Sequence, residues 1–317
     1  MSKKQVTVVG ATGIQGSSVV EALLKDNTYN VRGLTLNIQS DSSKALAGKG
    51  AEMMQADAND YESLVTAFED SYAIYAVTDF FEYFSESGPE SAMEIEYQQG
   101  TNLAKAASVT PTLEHYVWST LPDASSISGG KYVIPHFESK NRIDRFIKSN
   151  TELFTKTTFL WTTFCAANYF YPMFKPYHIP TADKYVQFQS TPADVPILAM
   201  GNTRANAGLF VSAVLLQPEK TRDGKIVLAY VEKTTMGGLL EVWGKTQGKK
   251  VQYAQIDKTA FRALWPVWAE EMGTMMEFWD WAREKSWTAE QTPLTAADLG
   301  IEGLGSVEEA FNSLTFE

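Results

Sequence analysis

A glycine-rich turn near the start of the chain constrains the fold more than any other feature. Residues 6–9 read Val-Thr-Val-Val, residues 10–16 read Gly-Ala-Thr-Gly-Ile-Gln-Gly, and residues 17–24 place apolar side chains on one helical face. A strand, a glycine turn and a helix in direct succession form the first unit of a dinucleotide-binding fold. The alternative is a strand–helix turn that is rich in glycine but binds no ligand.

Each glycine of this turn has a physical role. Gly10 allows the chain to turn sharply off the strand, where a Cβ atom would be strained. Gly13 allows the backbone to approach a pyrophosphate, and Gly16 allows the helix to pack closely on the strand. The helix N-terminus then presents free N–H groups and a partial positive charge to the phosphates.

The first 165 residues alternate between strand and helix patterns. The strands are predicted at residues 31–36, 51–56, 73–77, 115–119 and 157–161, and the helices between them at residues 43–49, 61–68, 94–107 and 136–149. This alternation predicts an α/β fold of the Rossmann type, with a doubly wound parallel sheet. Residues 1–165 are therefore predicted to form the NAD(P)-binding domain.

The pattern changes after residue 165. Prolines divide residues 172–196 into short pieces, and a strand at 226–230 follows a predicted helix at 206–216 and precedes another at 234–247. Residues 166–317 are predicted to form a smaller α/β lobe that covers the substrate and is interwoven with the sheet. Its many tryptophans are interpreted as core residues rather than as a ligand cage.

Composition excludes several classes of function. The 317 residues carry a formal net charge of -11, which argues against a nucleic-acid or anionic-membrane surface. The three histidines are scattered and Cys165 is the single cysteine, so neither a metal site nor an intramolecular disulfide is expected. With no predicted signal peptide and no membrane-spanning stretch, the expected location is the cytoplasm.

Several segments together resemble the NmrA-like family of atypical short-chain dehydrogenase/reductases, particularly its fungal members. They are Val-Val-Gly-Ala-Thr-Gly-Ile-Gln-Gly (8–16), Val-Arg-Gly-Leu-Thr (31–35), Ala-Asp-Ala-Asn-Asp-Tyr-Glu-Ser-Leu (56–64), Tyr-Val-Trp-Ser-Thr-Leu-Pro (116–122) and His-Phe-Glu-Ser-Lys (136–140). Members of this family are NAD(P)-dependent reductases and related enzymes, or redox-sensing regulators that bind NAD(P) without turnover. Fold and cofactor site therefore transfer better than activity.

The resemblance also implies a set of cofactor-binding residues. Around the pyrophosphate it places Gly10, Thr12, Gly13, Ile14, Gln15 and Gly16. Beside the adenine it places Asp57 and Ala58. Along the ribose and nicotinamide it places Thr78, Asp79, Phe80, Lys140, Phe164 and Cys165.

The chain departs from the family pattern where a 2′-phosphate would bind. Leu36 stands where relatives usually carry an arginine, and the stretch Leu-Asn-Ile-Gln-Ser (36–40) also lacks the acidic residue typical of NAD sites. Arg32, Lys44 or polar side chains such as that of Asn37 remain as partners for a phosphate. NADP is the predicted cofactor, and NAD remains the alternative.

The residues expected to carry catalysis differ from those of an ordinary short-chain reductase. The Tyr-x-x-x-Lys pair is absent, because Tyr132 is followed four residues later by His136. Lys140 is predicted to orient the ribose and to assist proton movement, and its alternative role is ribose binding alone. Tyr132, His136 or Ser119 is expected to supply a hydrogen-bond donor to a developing oxyanion. The structural alternatives are that His136 packs in the core or caps its helix, and that Tyr132 lies on a surface loop.

Together these observations predict an NADP-dependent oxidoreductase that acts on a small aromatic or polyketide-type metabolite. Two alternatives remain: a non-catalytic redox sensor that binds a partner protein, and a cyclase or isomerase that uses the fold without redox turnover. The expected partner is a small-molecule substrate, and no nucleic acid or membrane is expected.

Overall fold

The structure is a computed structural model that describes residues 3–316. Within this range the strands are β1 (Lys4–Val8), β2 (Tyr29–Thr35), β3 (Glu52–Gln55), β4 (Ser71–Ala76), β5 (His115–Thr120), β6 (Thr157–Thr162), β7 (Phe164–Cys165), β8 (Tyr177–Ile179), β9 (Lys184–Gln189), β10 (Pro196–Gly201), β11 (Lys225–Ala229), β12 (Glu232–Thr235) and β13 (Val251–Gln255).

The α-helices of the same range flank or connect these strands. They are α1 (Ile14–Asp26), α2 (Asp41–Gly48), α3 (Tyr61–Ala67), α4 (Phe81–Ser108), α5 (Ala124–Ser128), α6 (Pro135–Ser149), α7 (Thr151–Thr155), α8 (Thr203–Leu216), α9 (Pro218–Thr221), α10 (Met236–Gln247), α11 (Lys258–Leu264), α12 (Thr274–Ala282), α13 (Ala296–Leu299) and α14 (Val307–Ser313). A turn of π-helix, Ala269–Gly273, directly precedes α12.

A seven-stranded parallel sheet forms the centre of the molecule. Its strand order is β11-β6-β5-β4-β1-β2-β3. The order reverses direction at β1, between β4 and β2, and in open α/β sheets ligands bind at the carboxyl ends of the strands beside such a reversal. The predicted Rossmann-type α/β fold is thus confirmed.

Helices cover both faces of this sheet, as the alternation of side chains along β4 shows. Ala73 and Tyr75 pack with residues of α1 and α8, whereas Ile74 and Ala76 pack with residues of α3, α4 and α6. Successive strand residues point to opposite faces, so β4 is buried on both sides. This burial accounts for its continuous apolar run.

The second half of the chain contributes to the main sheet as well as to a lobe of its own. β11 pairs in parallel with β6, from Lys225 beside Thr158 to Ala229 beside Thr162. The strand predicted at 226–230 therefore forms the sheet edge next to β6. The lobe itself contains two three-stranded sheets, β12-β10-β7 and β13-β9-β8, around an aromatic core.

The helix predicted at residues 94–107 begins much earlier in the structure. α4 starts at Phe81 and is interrupted at Gly88, whose φ of 77° is non-helical. Pro89 follows and cannot donate a backbone hydrogen bond, so the aromatic residues after β4 form a separate helical segment. This break places Phe81 and Phe84 next to Trp268 of the lobe.

Candidate active site

A cleft of about 680 Å³ opens at the carboxyl ends of the central strands. The loops after β1, β2, β3 and β4 form one wall, and the π-helical turn with α12 contributes to the opposite end. All the residues that the family resemblance assigned to cofactor binding lie on the wall of this cleft, from Gly10 to Cys165, and so does Asn37. Their contact with a cofactor stays a prediction.

The glycine turn has the geometry that a pyrophosphate requires. Gly10 adopts a φ of +63°, and a Cβ atom on Gly16 would lie 2.1 Å from the backbone oxygen of Gly10. Gly13 is the N-cap residue of α1 and has no side chain to cap it. The first amides of α1 therefore have no helical or side-chain partner, and they present donors and a partial positive charge to an anion.

The end of the cleft beyond β2 carries neutral polar groups. Asn37, Ser40 and Ser42 line it beside Leu36, whose side chain is 56% exposed. Among the described residues that line the cleft, Lys140 is the one lysine or arginine.

The two cations suggested for a 2′-phosphate lie elsewhere. Arg32 donates to the backbone oxygens of Ala67 and Glu69, pairs with Glu52 at 3.1 Å and does not line the cleft. Lys44 is exposed on α2 and does not line the cleft.

Lys140 is held at the end of β4 by a buried carboxylate. Its Nζ donates to the backbone oxygen and to Oγ1 of Thr78, each at 3.1 Å, and to Oε1 of Glu96 at 2.9 Å. Glu96 is 0% exposed and also accepts hydrogen bonds from Thr78 Oγ1 and Ser139 Oγ. An ammonium has three protons to donate, and these three acceptors use them all. The geometry argues against Lys140 as a proton donor to a substrate in this conformation, and its contact with a ribose stays a prediction.

Ser119 also has an internal partner. Its hydroxyl donates to Oε1 of Gln15 at 2.9 Å, and the hydroxyl of Tyr75 donates to the same oxygen at 2.7 Å. The two hydrogen bonds fix the side chain of Gln15 at the start of α1. Ser119 thus connects the end of β5 to the glycine turn.

His136 faces the cleft from the first turn of α6. Its Nδ1 contacts Oε1 of Glu271, and its backbone N–H donates to the same oxygen at 3.1 Å. Glu271 is 1% exposed and belongs to the π-helical turn of the lobe. A histidine and a glutamate from distant parts of the chain therefore form a buried pair at the cleft wall.

Tyr132 is the one predicted catalytic residue that does not line the cleft. Its ring packs against Phe278 and Trp281, with ring centroids 6.1 Å and 5.8 Å away. Lys131 lies over both rings of the Tyr132–Trp281 pair. This placement agrees with the surface-loop alternative, because α12 holds the ring away from the other site residues.

The wall beyond Lys140 is mostly apolar. Phe80, Phe81, Phe164 and Tyr171 line it from one side. Burial and the nearby Asp79 raise the pKa of Tyr171 to about 12, so its hydroxyl keeps its proton near neutral pH.

The lobe closes the cleft with Met272, Met275, Trp279 and Trp287, none of which was predicted as a site residue. Their sequence signal is the spacing of large apolar side chains along residues 268–287, a pattern equally typical of a core helix.

Cys165 lies on the cleft wall and serves as a hydrogen-bond donor. Its Sγ donates to Oδ1 of Asn168 at 2.9 Å, and burial raises the pKa of the thiol. The thiol therefore remains protonated near neutral pH and is a poor nucleophile.

Two negative findings apply to residues 3–316. This part of the chain contains no group of three or more His, Cys, Asp or Glu residues arranged to hold a metal ion. Nor does any helix in it have the length and apolar character needed to cross a bilayer.

The fold and the glycine turn place the protein in the class with a Rossmann-type fold. The chain belongs to the NmrA-like family, whose model matches residues 2–302. The family resemblance found in the sequence is thereby confirmed.

Two fungal relatives show how far the sequence similarity extends. An NmrA-like family domain-containing oxidoreductase of Aspergillus hancockii is 30% identical over 225 residues, which are 68% of this chain and 64% of the relative. One of Aspergillus versicolor is 33% identical over 151 residues, 47% of this chain and 41% of the relative. The match thus spans less than two thirds of the length of these relatives.

Solved structures of low sequence identity share the fold over nearly the whole chain. NmrA, a negative transcriptional regulator, superimposes with a TM-score of 0.78 at 17% identity, covering 99% of this chain and 96% of NmrA. The same regulator in complex with NADP gives a TM-score of 0.77 at 18% identity, with the same coverage of both chains. An NADPH-dependent quinone oxidoreductase of Escherichia coli, complexed with NADPH, gives 0.69 at 19% identity, covering 97% and 99%.

Proposed function

We propose that this protein is an NADP-dependent oxidoreductase, with NAD as a second cofactor, that reduces a carbonyl group of a small aromatic or polyketide-type compound. One observation carries the proposal. The glycine turn before α1 lies at one end of the cleft. The apolar chamber next to His136, formed by the aromatic wall and the lobe residues described above, lies at the other end. The names of the Aspergillus relatives and of the quinone oxidoreductase support an oxidoreductase activity.

The residues of the cleft fit the successive parts of a dinucleotide. The amides at the start of α1 would hold the pyrophosphate, and Asp57 and Ala58 would flank the adenine. Lys140 would contact the nicotinamide ribose by exchanging one of its internal hydrogen bonds for one to a ribose hydroxyl. When bound in reduced form, the cofactor supplies a hydride. The protein contributes orientation and a dry, apolar chamber in which the substrate carbonyl is held.

The end of the cleft that follows β2 should distinguish only weakly between NADP and NAD. Asn37, Ser40 and Ser42 can donate hydrogen bonds to a 2′-phosphate, but no cation lines that end among the described residues. A neutral donor set contributes less to phosphate binding than a charge-assisted one. We expect affinities for the two cofactors within about tenfold of each other.

Calorimetric titration with NADPH, NADP, NADH and NAD tests the cofactor proposal. The Leu36→Arg variant adds a cation to the cleft wall and should tighten NADP binding by about 10- to 100-fold without changing NAD binding. Ile38→Arg is the matched control, because Ile38 is also exposed but does not line the cleft. Absence of binding for all four dinucleotides would contradict the proposal.

A redox sensor is the second candidate function. It is favoured by the internal hydrogen bonds of Lys140, which leave no ammonium proton for a substrate in this conformation. Oxidation of NADPH in the presence of 9,10-phenanthrenequinone, an aromatic dicarbonyl compound, separates the two functions. Steady turnover supports the reductase, whereas tight cofactor binding without turnover supports the sensor.

A further inference from the structure

We propose that His136, held by Glu271, donates the proton to the substrate oxygen, and that this pair selects aromatic substrates that carry a carbonyl group. The inference rests on the proposed function and assigns the substrate end of the same cleft. His136 is the catalytic residue, and Glu271 is a positioning residue that acts through it.

The first argument is the way Glu271 fixes the imidazole. Oε1 of Glu271 contacts Nδ1 of His136 and also accepts the backbone N–H of His136. Both ring rotation and the choice of tautomer are thereby restricted, because Nδ1 must carry the proton that is shared with the carboxylate. Nε2 is then the ring nitrogen that remains for a ligand, and it donates a hydrogen bond to a ligand oxygen when the ring is an imidazolium. Within the described residues it forms no hydrogen bond, and His136 lines the cleft.

The second argument is the burial of the carboxylate. Capping of α6 would need only one acceptor near the helix N-terminus, which an exposed Ser or Asp supplies in most helices. Here a glutamate that is 1% exposed reaches α6 from the π-helical turn, 135 residues away in the chain. Its other oxygen, Oε2, is buried and has no hydrogen-bond partner among the described residues. Such burial is costly unless the charge has a function or a cationic partner.

The third argument concerns three other hydrogen-bond donors of the cleft wall, Lys140, Ser119 and Tyr171. Lys140 donates all three ammonium protons inside the protein, and Ser119 donates to Gln15. The hydroxyl of Tyr171, whose pKa is raised to about 12, can donate a hydrogen bond but is too weak an acid to release its proton readily near neutral pH. Among these four groups, His136 is therefore the best suited to proton transfer.

The rings around His136 define the substrate class. Phe81 lies with its ring centroid 5.2 Å from that of His136, and Phe80 lies 6.0 Å away. Met272 and Trp279 extend the apolar wall on the side of the lobe. A flat aromatic compound can pack against these surfaces while its oxygen reaches Nε2.

The proton balance of the step is simple. Reduction of a carbonyl adds one hydride to the carbon and one proton to the oxygen, and the C–O π bond becomes an O–H bond and a C–H bond. The hydride equivalent comes from the reduced cofactor, which is oxidised. The proton comes from Nε2 of the His136 imidazolium, which becomes neutral and takes a proton from water before the next turnover.

A pair of ligands with the same shape tests the role of His136 without turnover. Binding of 2-acetylnaphthalene and of 2-isopropylnaphthalene to protein saturated with NADP is followed by tryptophan fluorescence, and each affinity is corrected for partition from water. We expect the ketone to bind about tenfold better than the hydrocarbon, because one hydrogen bond contributes a net free energy of about that size. The preference should disappear in His136→Phe and remain in His178→Phe, since His178 is exposed and outside the cleft.

The Glu271→Gln variant separates positioning from capping. Glutamine keeps an oxygen that can accept the backbone N–H of His136 but removes the charge. A structural cap alone predicts an unchanged ketone preference in Glu271→Gln, whereas our proposal predicts a loss of most of it. For turnover of 9,10-phenanthrenequinone, we expect kcat to fall about 100- to 10,000-fold in His136→Phe with unchanged affinity for NADP.

Three outcomes would overturn the assignment. They are failure of both naphthalene ligands to bind, equal binding of the two by the unaltered protein, and a ketone preference that survives in His136→Phe. If the proposed function itself is wrong, calorimetry will show no binding of any dinucleotide, which is a different result from the three above. Cofactor binding with no ketone preference leaves the cofactor site intact and rejects the role of His136.

Discussion

At the scale of single residues, buried ionisable side chains occur in pairs along the cleft. Lys140 contacts Glu96, and His136 contacts Glu271, and all four side chains are largely removed from water. Breaking a buried pair strands an uncompensated charge, which destabilises more than the pair itself stabilises. Variants of Lys140 therefore lose stability as well as any catalytic contribution, and the two effects need separate measurements.

A double-mutant cycle makes this separation. We expect Lys140→Met to lower the free energy of unfolding by about 3–5 kcal/mol, because the carboxylate of Glu96 then lacks a cation. Adding Glu96→Gln should restore most of the loss. Urea denaturation measures the unaltered protein, the two single variants and the double variant, with Lys44→Met on the exposed face of α2 as the control. A Lys140→Met protein as stable as the unaltered chain would refute this account of the pair.

Asp144 predicts a pH dependence of stability. Burial raises the pKa of its carboxyl to about 7, although the Thr120 hydroxyl, Lys148, the Trp118 indole and Lys140 act in the opposite direction. The ordinary value is 3.8, so the folded chain holds this proton more tightly than the unfolded chain. This group therefore lowers the free energy of unfolding as the pH rises from about 4 to about 7.

The Asp144→Asn variant isolates that contribution. Asparagine can still accept the hydrogen bonds that Oδ1 receives from Trp118 and Thr120. We expect its stability relative to the unaltered protein to increase from about pH 4 to about pH 7, by up to a few kcal/mol, and to level off above. Urea denaturation across this range measures the difference, and a constant difference would contradict the prediction.

At the scale of elements, the approach of α8 to α1 depends on a glycine. A Cβ atom on Gly208 would lie 2.1 Å from the backbone oxygen of Ser18, and the Gly208 N–H donates to Oγ of Ser18 at 2.8 Å. The backbone amides proposed to bind the pyrophosphate lie at the start of α1, after the glycine turn. A helix from the second half of the chain thus supports the helix that would bind the cofactor.

Two glycine-to-alanine variants test this contact. Gly208→Ala should destabilise the protein by at least about 1–3 kcal/mol and weaken NADP binding, because α8 must move away from α1. Gly48→Ala at the end of α2 is the matched control, since open space surrounds its Cβ position. There we expect stabilisation of about 0.5–1 kcal/mol, as measured by thermal unfolding. Equal effects of the two substitutions would argue against a specific close approach.

At the scale of the whole molecule, the two predicted ranges 1–165 and 166–317 share one framework. β11 pairs with β6, and α8 covers the face of the sheet that also packs on α1. Glu271 reaches from the lobe to α6. The cleft therefore exists only where both ranges are folded together.

A fragment experiment follows from this arrangement. Residues 1–165 expressed alone should not fold cooperatively or bind NADP, because the sheet would lose β11 and expose apolar residues that α8 covers. The full chain should unfold in a single transition. Circular dichroism and calorimetry measure both properties, and a fragment that binds NADP as tightly as the full chain would show that the first range is autonomous.

Local sequence was enough for the parallel sheet and for the position of the glycine turn at one end of the cleft. The glycine turn and the strand at 73–77 carry signals within a few neighbouring residues, and parallel strands bring their carboxyl ends to one edge. Lys140, on α6, was found only through the family resemblance. Side chains that follow those strands therefore line one cleft, whatever the rest of the chain does. Tyr132 failed to join them because its loop is held by α12, which local patterns do not reveal.

The substrate end was decided by tertiary structure alone. Glu96 and Glu271 look like ordinary surface glutamates in the sequence, yet each is buried against a cleft residue from another element. Contacts between side chains 44 and 135 positions apart depend on how the helices and the lobe pack, which no local periodicity encodes. Periodicity shows which face of an element is buried, and packing determines which charged groups meet there.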